Sequence, residues 1–301
     1  QASGVATSRF GSPDGVWGSS ATTLEYATAD FAIARFAARS CEESVYERMM
    51  ERSANWLRVF NPASGYAEPR LSSGGFLPTA SPESGDGFAE GSSAQYTWMV
   101  PFDPAGLAEA LGGRRAAVER LDELFAELNS GPESEHAFLG NEPNLNAPWL
   151  YDWFGRPDRT QKIVRDALLD LYSPRFDGYP GNEDLGAMSS WWVFGALGIY
   201  PAVPGARQLA LGSPLFERAR VRLGDATLRI EAPKAGAGRP YVHGLELDGR
   251  ERAKPWVRLS RAGNGSTLRF ELSARPNRTW GSAPAEAPPS YGPKKPLSGN
   301  C

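Results

Sequence analysis

The chain contains 301 residues, of which 41% are hydrophobic and 22% are charged, a composition typical of a globular protein with one large domain or two ordinary ones. A net charge of −3 gives no reason to expect a polyanionic partner, so nucleic acid is disfavoured. The presence of only two cysteines excludes a disulfide-rich scaffold and a zinc site built on cysteine. The sequence contains no run of about 18 apolar residues of the kind that spans a membrane. His136 and His243 lie in unrelated contexts, which leaves a Ser-His triad without support.

A succession of helices is predicted for the first two thirds of the chain, after a flexible, Gly/Ser-rich lead-in over residues 1–19. The first helix is predicted to begin with Thr22 or Thr23 as its N-cap. Its apolar face comprises Leu24, Ala27, Phe31 and Ala34. Further helices are predicted over residues 42–60, 91–100, 104–111, 114–129, 147–154, 158–172 and 185–198. Alternating short and long connections favour stacked helical hairpins, and we predict a helical toroid over residues 20–204 in preference to a four-helix bundle.

The pattern changes to a period of two after Pro204. Alternating segments separated by turns predict β-strands over residues 220–223, 227–231, 241–247 and 267–272. We predict an antiparallel β module over residues 205–281, followed by an irregular, Pro-rich tail over residues 282–301. The predicted fold class is therefore mainly α with a β module.

Glu90 is the first candidate for chemistry. It follows a Gly-rich bend and precedes a predicted helix that carries Gln95 and Trp98. A carboxyl group desolvated beside aromatic side chains is favoured in its protonated form and can donate a proton near neutral pH. The segment also allows a simpler interpretation, in which Glu90 complements the dipole at a helix N-terminus.

An amide-rich turn precedes Trp149. Its oxygen-bearing side chains are Asn141, Glu142, Asn144 and Asn146. Calcium binds hard oxygen ligands of this kind together with sugar hydroxyls and water. The regular Asp spacing of an EF-hand is missing, and the turn also fits a cap for the helix that contains Trp149.

The third candidate is the junction at which a Gly/Pro turn gives way to an aromatic helix. Asp184 could act there as a general base on water, with Glu183 or Asn182 orienting that water. The alternative is that Asn182 or Asp184 caps the helix and that the two following tryptophans belong to the core. Together, Glu90 and Asp184 would supply the carboxylate pair that glycoside hydrolysis requires.

Six segments of the chain resemble glycoside hydrolase family 92. The segments are Glu90-Gly-Ser-Ser-Ala-Gln-Tyr-Thr-Trp-Met-Val-Pro, Gly140-Asn-Glu-Pro-Asn, Thr160-Gln, Pro180-Gly-Asn-Glu-Asp-Leu-Gly-Ala-Met-Ser-Ser-Trp, Ala196-Leu-Gly-Ile-Tyr-Pro and Pro276-Asn-Arg-Thr-Trp-Gly. They occur in the family's order across roughly residues 16–290. The resemblance implies an exo-acting, calcium-dependent, inverting α-mannosidase built on an (α/α)6 barrel. The expected substrate is an α-mannoside oligosaccharide or glycan that carries a terminal α-linked mannose.

The resemblance also implies roles for individual residues. Glu90 matches the family's catalytic acid and Asp184 its general base, and an inverting mechanism predicts about 6.5–9.5 Å between the two carboxyl groups. Calcium would lie near Asn141 and Glu142. The residues expected to contact the sugar are Gln95, Trp98, Asn146, Trp149 and Glu183.

The chain departs from the family pattern in three respects. Phe102 stands where many members have a histidine after the proline, a difference that would change the sugar contacts. Some members carry an acid two residues before the base, where this chain has Asn182, which would tune the activity if that acid assists the base. The family's complete enzymes also carry an N-terminal β-sandwich and a full barrel, whereas this chain resembles their C-terminal portion. We therefore expect an N-terminal segment or chain to complete the barrel, and a secreted or cell-envelope location.

Two other functions remain open from the residues. A non-catalytic carbohydrate-binding or scaffold chain would use the aromatic helices to hold sugar without hydrolysis. A lyase on an (α/α) toroid would need a proton relay based on Tyr, His or Lys, for which two isolated histidines give little support.

Overall fold

The computed structural model of the protein describes residues 18–78, 80–223, 226–258 and 265–292. The chain forms two compact units. Unit 1 comprises the described residues within 18–146, 203–206 and 290–292, and unit 2 comprises those within 147–202 and 207–289. This division follows contacts between residues, and it differs from the predicted division by element type at residue 204. Most of the predicted lead-in and about half of the predicted tail lie outside the described residues.

Unit 1 is mainly helical. Its α-helices are α1 (Ser19–Arg39), α2 (Glu43–Ser53), α3 (Trp56–Val59), α4 (Ser93–Tyr96), α5 (Pro104–Ala110) and α6 (Arg114–Leu124). The other regular elements of its described residues are an antiparallel ribbon of β1 (Phe60–Asn61) and β2 (Tyr66–Ala67), and a 3-10 turn (Glu142–Asn144). None of the helices described in either unit is long and apolar enough to cross a membrane.

Helix α1 begins at Ser19, so the predicted start at Thr22 or Thr23 is wrong. The amides of Ser20 and Ala21 donate to the Gly87 carbonyl at 2.8 and 3.2 Å, which means that a carbonyl distant in sequence satisfies the free donors at the helix start. Thr23 lies inside the helix, and its hydroxyl donates to the Ser19 carbonyl at 2.8 Å. The predicted apolar face is confirmed, because all four of its residues are buried.

Three further helix predictions are too long. The predicted helix over residues 42–60 is interrupted at residues 54–55 and forms α2 and α3. Of residues 91–100, only α4 is helical, and Pro101 disfavours helical backbone at Val100, the last residue of the predicted helix. Helix α6 ends five residues before the predicted residue 129, since the Leu128 carbonyl instead accepts the Leu139 amide at 3.0 Å.

A segment from near the C-terminus completes unit 1. The Tyr291 amide donates to the Phe102 carbonyl at 2.7 Å, and its ring lies 5.6 Å from that of Phe31, which itself stacks on Phe102 at 5.0 Å. The Ser290 hydroxyl donates to Asp103 at 2.9 Å, and Asp103 is the N-cap of α5. Residues close to positions 30, 100 and 290 therefore form one cluster.

Unit 2 combines helices with most of the strands. Its helical elements are a 3-10 segment (Ala147–Asp152), α7 (Pro157–Asp170), a 3-10 turn (Asp184–Gly186) and α8 (Ala187–Leu197). Its strands are β3 (Ile199–Tyr200), β4 (Gln208–Leu211), β5 (Arg218–Leu223), β6 (Ala226–Glu231), β7 (Tyr241–Leu247), β8 (Arg250–Glu251), β9 (Trp256–Arg258) and β10 (Thr267–Ser273). All four strand predictions are confirmed, whereas the α-helix predicted over residues 147–154 is a 3-10 segment.

The strands of unit 2 form two sheets, and the larger one is mixed. Its strand order is β5-β6-β10-β7-β8, and β3-β4-β9 form the smaller sheet. Strands β6 and β10 pair in parallel, with Ile230 opposite Leu268, so the prediction of a wholly antiparallel module is wrong at this pair. The other pairs in both sheets are antiparallel. The sequence alternation predicts strands but not which edge each strand joins.

Arg165 of α7 connects the helical part of unit 2 to the loops of its sheets. The guanidinium is 2% exposed and donates to the carbonyls of Ser213, Pro214 and Gly236, as well as to the Ser213 hydroxyl. Burial lowers its pKa to about 10. A buried cation whose donors are shared among carbonyls fixes the positions of these loops, because its charge remains stable in the interior only while those acceptors surround it.

Candidate active site

The Glu90 segment is anchored by a capping box that does not involve Glu90. The Ser92 hydroxyl accepts the Gln95 amide at 3.3 Å, and the Gln95 side-chain oxygen accepts the Ser92 amide at 3.1 Å. Ser92 therefore caps α4, so the simpler interpretation of Glu90 as the residue that complements this helix is not needed. Glu90 itself is exposed, which means that the predicted desolvation by aromatic walls is not found in this structure.

Gln95 and Asn144 fix the surroundings of Glu90. Gln95 is 1% exposed, and its side-chain nitrogen donates to the carbonyls of Gly131 and His136, both at 2.8 Å. Asn144 donates to the Gln95 carbonyl at 3.0 Å and accepts the Phe138 amide at 2.8 Å. A direct sugar contact by Gln95, as predicted, would require it to give up these bonds. Its observed role is to connect α4 to the loops around residues 131–144.

Asn141 joins the two predicted sites of unit 1. Its side-chain nitrogen donates to the Glu90 carbonyl at 2.8 Å, so the predicted metal ligand and the predicted catalytic acid lie on adjoining segments. Because the nitrogen is used in this way, the side-chain oxygen of Asn141 is left as an acceptor. The Glu142 carboxylate follows directly in the 3-10 turn.

Glu25 is a member of this cluster that the sequence did not reveal. Partial desolvation and the negative charges of Glu90 and Glu142 raise its pKa, although the side chain is exposed. Desolvation and the same group of carboxylates also raise the pKa of the buried Tyr96. Glu25 lies in the second turn of α1, where its spacing is that of an ordinary solvated helix position, and only the fold brings it near Glu90.

Trp98 lines a cavity of about 310 Å³ in unit 1. The cavity is also lined by Tyr66, Arg120 and His136, and Arg120 lies over the Tyr66 ring at 4.2 Å. Trp98 is 1% exposed, so only a small part of its indole meets the cavity. Its predicted contact with a sugar stays a prediction.

Asp184 lies on a turn of unusual backbone conformation in unit 2. The φ angles of Asp184, Leu185 and Gly186 are 44°, 57° and 92°, so three successive residues are left-handed. This conformation suits Gly186 but is costly for the other two, and residues held in it cluster at functional sites. Asp184 and its predicted partner Asn182 are exposed, and the described residues provide no hydrogen bond or ion pair to the Asp184 carboxylate.

Glu183, not Asp184 or Asn182, binds the start of α8. Its backbone carbonyl accepts the amides of Gly186 and Ala187 at 3.2 and 2.9 Å. Its carboxylate accepts the Ser189 hydroxyl in a short hydrogen bond and the Ser189 amide at 3.4 Å. The predicted capping by Asn182 or Asp184 is therefore wrong, and the Asp184 carboxylate is not used to satisfy the helix. Glu183 and Ser189 hold both ends of the left-handed turn.

The remaining predicted sugar contacts have different surroundings. Trp149 is completely buried in unit 2, and its ring stacks on that of Tyr200 at 4.8 Å with an interplanar angle of 6°. It is a core residue in this structure, and contact with a sugar would require it to be uncovered. Asn146 of unit 1 is half-buried, and its side-chain nitrogen has no hydrogen-bond partner in the described residues.

The donor set near Asn141 fits calcium better than it fits a transition metal. It offers an amide oxygen and the Glu142 carboxylate, beside the further negative charges of Glu25 and Glu90. Among the described residues, no group of three or more His, Cys, Asp and Glu is arranged to hold a metal ion. A cation here would therefore need oxygen ligands from water or substrate in addition to those of the protein.

The two predicted catalytic carboxylates belong to different compact units. Glu90, Gln95, Trp98, Asn141, Glu142 and Asn146 are in unit 1, together with the newly identified Glu25. Trp149, Asn182, Glu183 and Asp184 are in unit 2. A hydrogen bond links Asn141 to Glu90 in unit 1, and Glu183 and Asp184 are adjacent in the sequence of unit 2. The predicted separation of the two carboxyl groups stays a prediction.

The motifs and the fold identify the family. The model of the glycosyl hydrolase family 92 catalytic domain matches residues 6–274. The chain therefore belongs to glycoside hydrolase family 92. It is also 27% identical to an uncharacterized secreted glycosidase from Arthroderma benhamiae, over 90% of this chain and 37% of that protein.

Solved structures of the same family have the same fold. A family 92 α-mannosidase from Bacteroides thetaiotaomicron is 30% identical with a TM-score of 0.86, covering 92% of this chain and 37% of its own. A family 92 inverting mannosidase from the same organism is 33% identical with a TM-score of 0.84, covering 93% and 40%. The α-mannosidase has also been solved in complex with mannoimidazole, at a TM-score of 0.85. The chain thus spans about two fifths of the length of these relatives.

Proposed function

We propose that this chain carries the acid and the base of an inverting exo-α-mannosidase, which removes terminal α-linked mannose from mannosides or N-glycan-type oligosaccharides. The observation that carries the proposal is the left-handed turn at Asp184. It presents a carboxylate that has no partner among the described residues, while Glu183 and Ser189 fix its backbone. Family membership and the α-mannosidase relatives support the substrate class.

Glu90 and Asp184 would act on opposite faces of the sugar. Glu90 donates its proton to the glycosidic oxygen as the bond to the leaving group breaks, and Asp184 takes a proton from the attacking water. A single displacement of this kind inverts the anomeric configuration and requires about 6.5–9.5 Å between the carboxyl groups, which leaves room for the water. Asn182 is neutral at any pH and can orient that water only by hydrogen bonding.

Calcium would be held by the Asn141 side-chain oxygen and the Glu142 carboxylate. When bound, it would supply a positive centre that orients sugar hydroxyls and offsets negative charge. The residues of the chain contribute the rest, because Asn141 also holds the Glu90 segment through its side-chain nitrogen. Displacement of Asn141 would therefore disturb the position of the acid as well as the metal.

The helices of both units would belong to an (α/α)6 toroid that an N-terminal β-sandwich segment or chain helps to complete. The coverage of only about two fifths of the relatives' length is the reason for this part of the proposal. A secreted or cell-envelope location is proposed by analogy with the relative that is named a secreted glycosidase.

The test is hydrolysis of an α-linked mannobiose followed by proton NMR, in which an inverting enzyme releases β-mannose first. Glu90→Gln and Asp184→Asn should each lower kcat by at least about 100-fold, and the exposed acids Glu83→Gln and Asp177→Asn serve as matched controls. Chelation with EDTA should abolish turnover, and calcium should restore it. Initial release of α-mannose would contradict inversion.

A non-catalytic carbohydrate-binding chain would give a different result. Calorimetry with mannobiose or mannoimidazole would then show binding without any release of mannose, by this chain alone or together with the proposed N-terminal segment. The departure at Asn182 is the feature of this chain that favours such an outcome.

A further inference from the structure

Charge is distributed unevenly along the chain. Residues 205–281 contain 15 Lys and Arg against 7 Asp and Glu, a net charge of +8. The rest of the chain contains 17 against 28, a net charge of −11, so the whole-chain value of −3 conceals a basic β region. A charge asymmetry of this size points to an interaction that uses the basic part.

Three arginines line one face of strand β5. Arg218, Arg220 and Arg222 are all exposed, whereas the alternate residues Ala219 and Val221 pack against the hydrophobic core of the sheet. Because alternate residues of a strand share a face and rise by about 3.4 Å each, the three guanidinium groups are spread over about 14 Å. They form a straight row of positive charge along the strand.

A fourth arginine extends this row onto the neighbouring strand. Arg229 of β6 is exposed and lies directly opposite Arg220 in the antiparallel pair. Like charges in directly opposite positions destabilise a sheet. Glu231, which faces Arg218, is paired instead with Arg269 at 3.3 Å. We name Arg218, Arg220, Arg222 and Arg229 the arginine ladder.

The arginine ladder forms no ion pair in the part of the chain that the structure describes, because Glu231, the acid opposite Arg218, is paired with Arg269. None of its four side chains forms an ion pair or a hydrogen bond with the described residues. Strand β5 is at the edge of its sheet, and charged residues on an edge strand often serve to prevent edge-to-edge association. That role does not account for Arg229, because β6 is paired on both sides, with β5 and β10.

We propose that the arginine ladder binds an anionic polysaccharide. Guanidinium groups bind carboxylate, sulfate and phosphate groups in a bidentate manner, and an anion between Arg220 and Arg229 would convert their repulsion into two attractions. An extended polyanion fits a straight row better than a compact ligand does. A polysaccharide is favoured over single-stranded nucleic acid because neither β5 nor β6 carries an aromatic residue on which bases could stack. Such binding would hold the protein on a charged glycan independently of its catalytic residues.

The test measures binding of the 301-residue protein to dextran sulfate, with uncharged dextran and single-stranded DNA of similar length for comparison. The variant is Arg218→Gln/Arg220→Gln/Arg222→Gln, and Arg229→Gln alone provides a second, milder change. The matched control is Arg48→Gln/Arg58→Gln/Arg115→Gln, which alters the net charge equally at exposed positions in unit 1. Circular dichroism and size-exclusion chromatography confirm that each variant is folded and report its oligomeric state.

Wild-type protein should bind dextran sulfate and not dextran. The triple ladder variant should bind at least about tenfold more weakly at 0.1 M salt and with a smaller salt dependence, while the control triple binds like wild type. The proposal is overturned if the ladder variant retains wild-type affinity, or if wild type does not bind dextran sulfate at low salt. Equal binding to DNA, lost in the same variant, would overturn the polysaccharide assignment. Self-association of the ladder variant with unchanged binding would assign the arginines to edge protection instead.

Discussion

Replacing Leu185 by glycine should stabilise the protein. Leu185 has a φ of 57°, and its side chain is 109% exposed relative to the reference value, so its removal uncovers no packed surface. A left-handed backbone costs a residue with a Cβ about 1–2 kcal/mol, and the greater freedom of glycine in the unfolded chain offsets about 0.5–1 kcal/mol of the gain. We therefore expect Leu185→Gly to raise the free energy of unfolding by about 0.5–1 kcal/mol, a shift of about 1–3 °C in Tm.

The matched control is Leu185→Ala, which keeps the Cβ and therefore the backbone cost. Its stability should remain within about 0.5 kcal/mol of wild type. Urea denaturation followed by tryptophan fluorescence compares the midpoints at constant m-value. If glycine destabilises the protein while alanine is neutral, the turn is not left-handed and the inference of strain at Asp184 fails. A mannosidase assay on the same variants should show that Leu185→Gly lowers kcat with KM nearly unchanged, since a looser turn positions Asp184 less well.

Three other changes test separate parts of unit 2. Ser189→Ala removes the hydroxyl that donates to Glu183 and should lower the free energy of unfolding by about 1–2 kcal/mol. Ser189→Thr keeps a hydroxyl and should retain the stability, and Ser190→Ala at the exposed neighbouring position should have no effect. Asp152 is completely buried, and this burial raises the pKa of its carboxyl well above the usual range. The unfolded chain ionises near pH 4 and the folded protein only at higher pH, so stability falls as the pH rises above about 4. Asp152→Asn should therefore stabilise the protein at neutral pH but not near pH 3. Denaturation experiments that show the same effect at both pH values would contradict a raised pKa for Asp152. Arg165→Lys shortens the side chain and leaves at least two buried carbonyls without the donor that they have now. Thermal denaturation should therefore show a loss of about 2–4 kcal/mol in the free energy of unfolding. A loss below about 1 kcal/mol would show that water replaces the guanidinium.

Local sequence patterns predicted those helices and strands whose ends are determined by residues close in sequence. Helix α7 begins with a proline, which is common at the first position of a helix, and its start could therefore be recognised from sequence. Polar and apolar residues alternate clearly in strands β5, β6, β7 and β10, which made these strands recognisable too. The start of α1 could not, because its donors are satisfied by Gly87, nearly 70 residues away. The parallel pairing of β6 with β10 likewise depends on contacts between segments distant in sequence. The alternation of polar and apolar residues carries no information about which strands pair or in which direction.

The candidate site was predictable to the extent that its residues lie in recognisable segments. The Glu90, Asn141 and Asp184 segments were found from their Gly, Pro and amide content, but the roles of their neighbours were partly misassigned. Ser92 rather than Glu90 caps α4, and Glu183 rather than Asp184 binds the start of α8. In both places a neighbouring residue makes the bonds at the helix start, so the Glu90 and Asp184 carboxylates are not used for capping. Glu25 was missed because no local feature distinguishes it from a surface helix position.

The cluster of Tyr291 with Phe31 and Phe102 has a consequence for biosynthesis. Residues 18–146 are translated before any of unit 2, yet the aromatic core of unit 1 includes a ring from position 291, and the N-cap Asp103 accepts a hydrogen bond from Ser290. Until Tyr291 is synthesised, Phe31 and Phe102 lack one of the rings that cover them in the folded protein. Roughly half of the chain is still to be translated at the time when residue 146 has been added. During that interval the exposed rings are a target for chaperones and for misassociation, and a chain released early would carry the defect permanently.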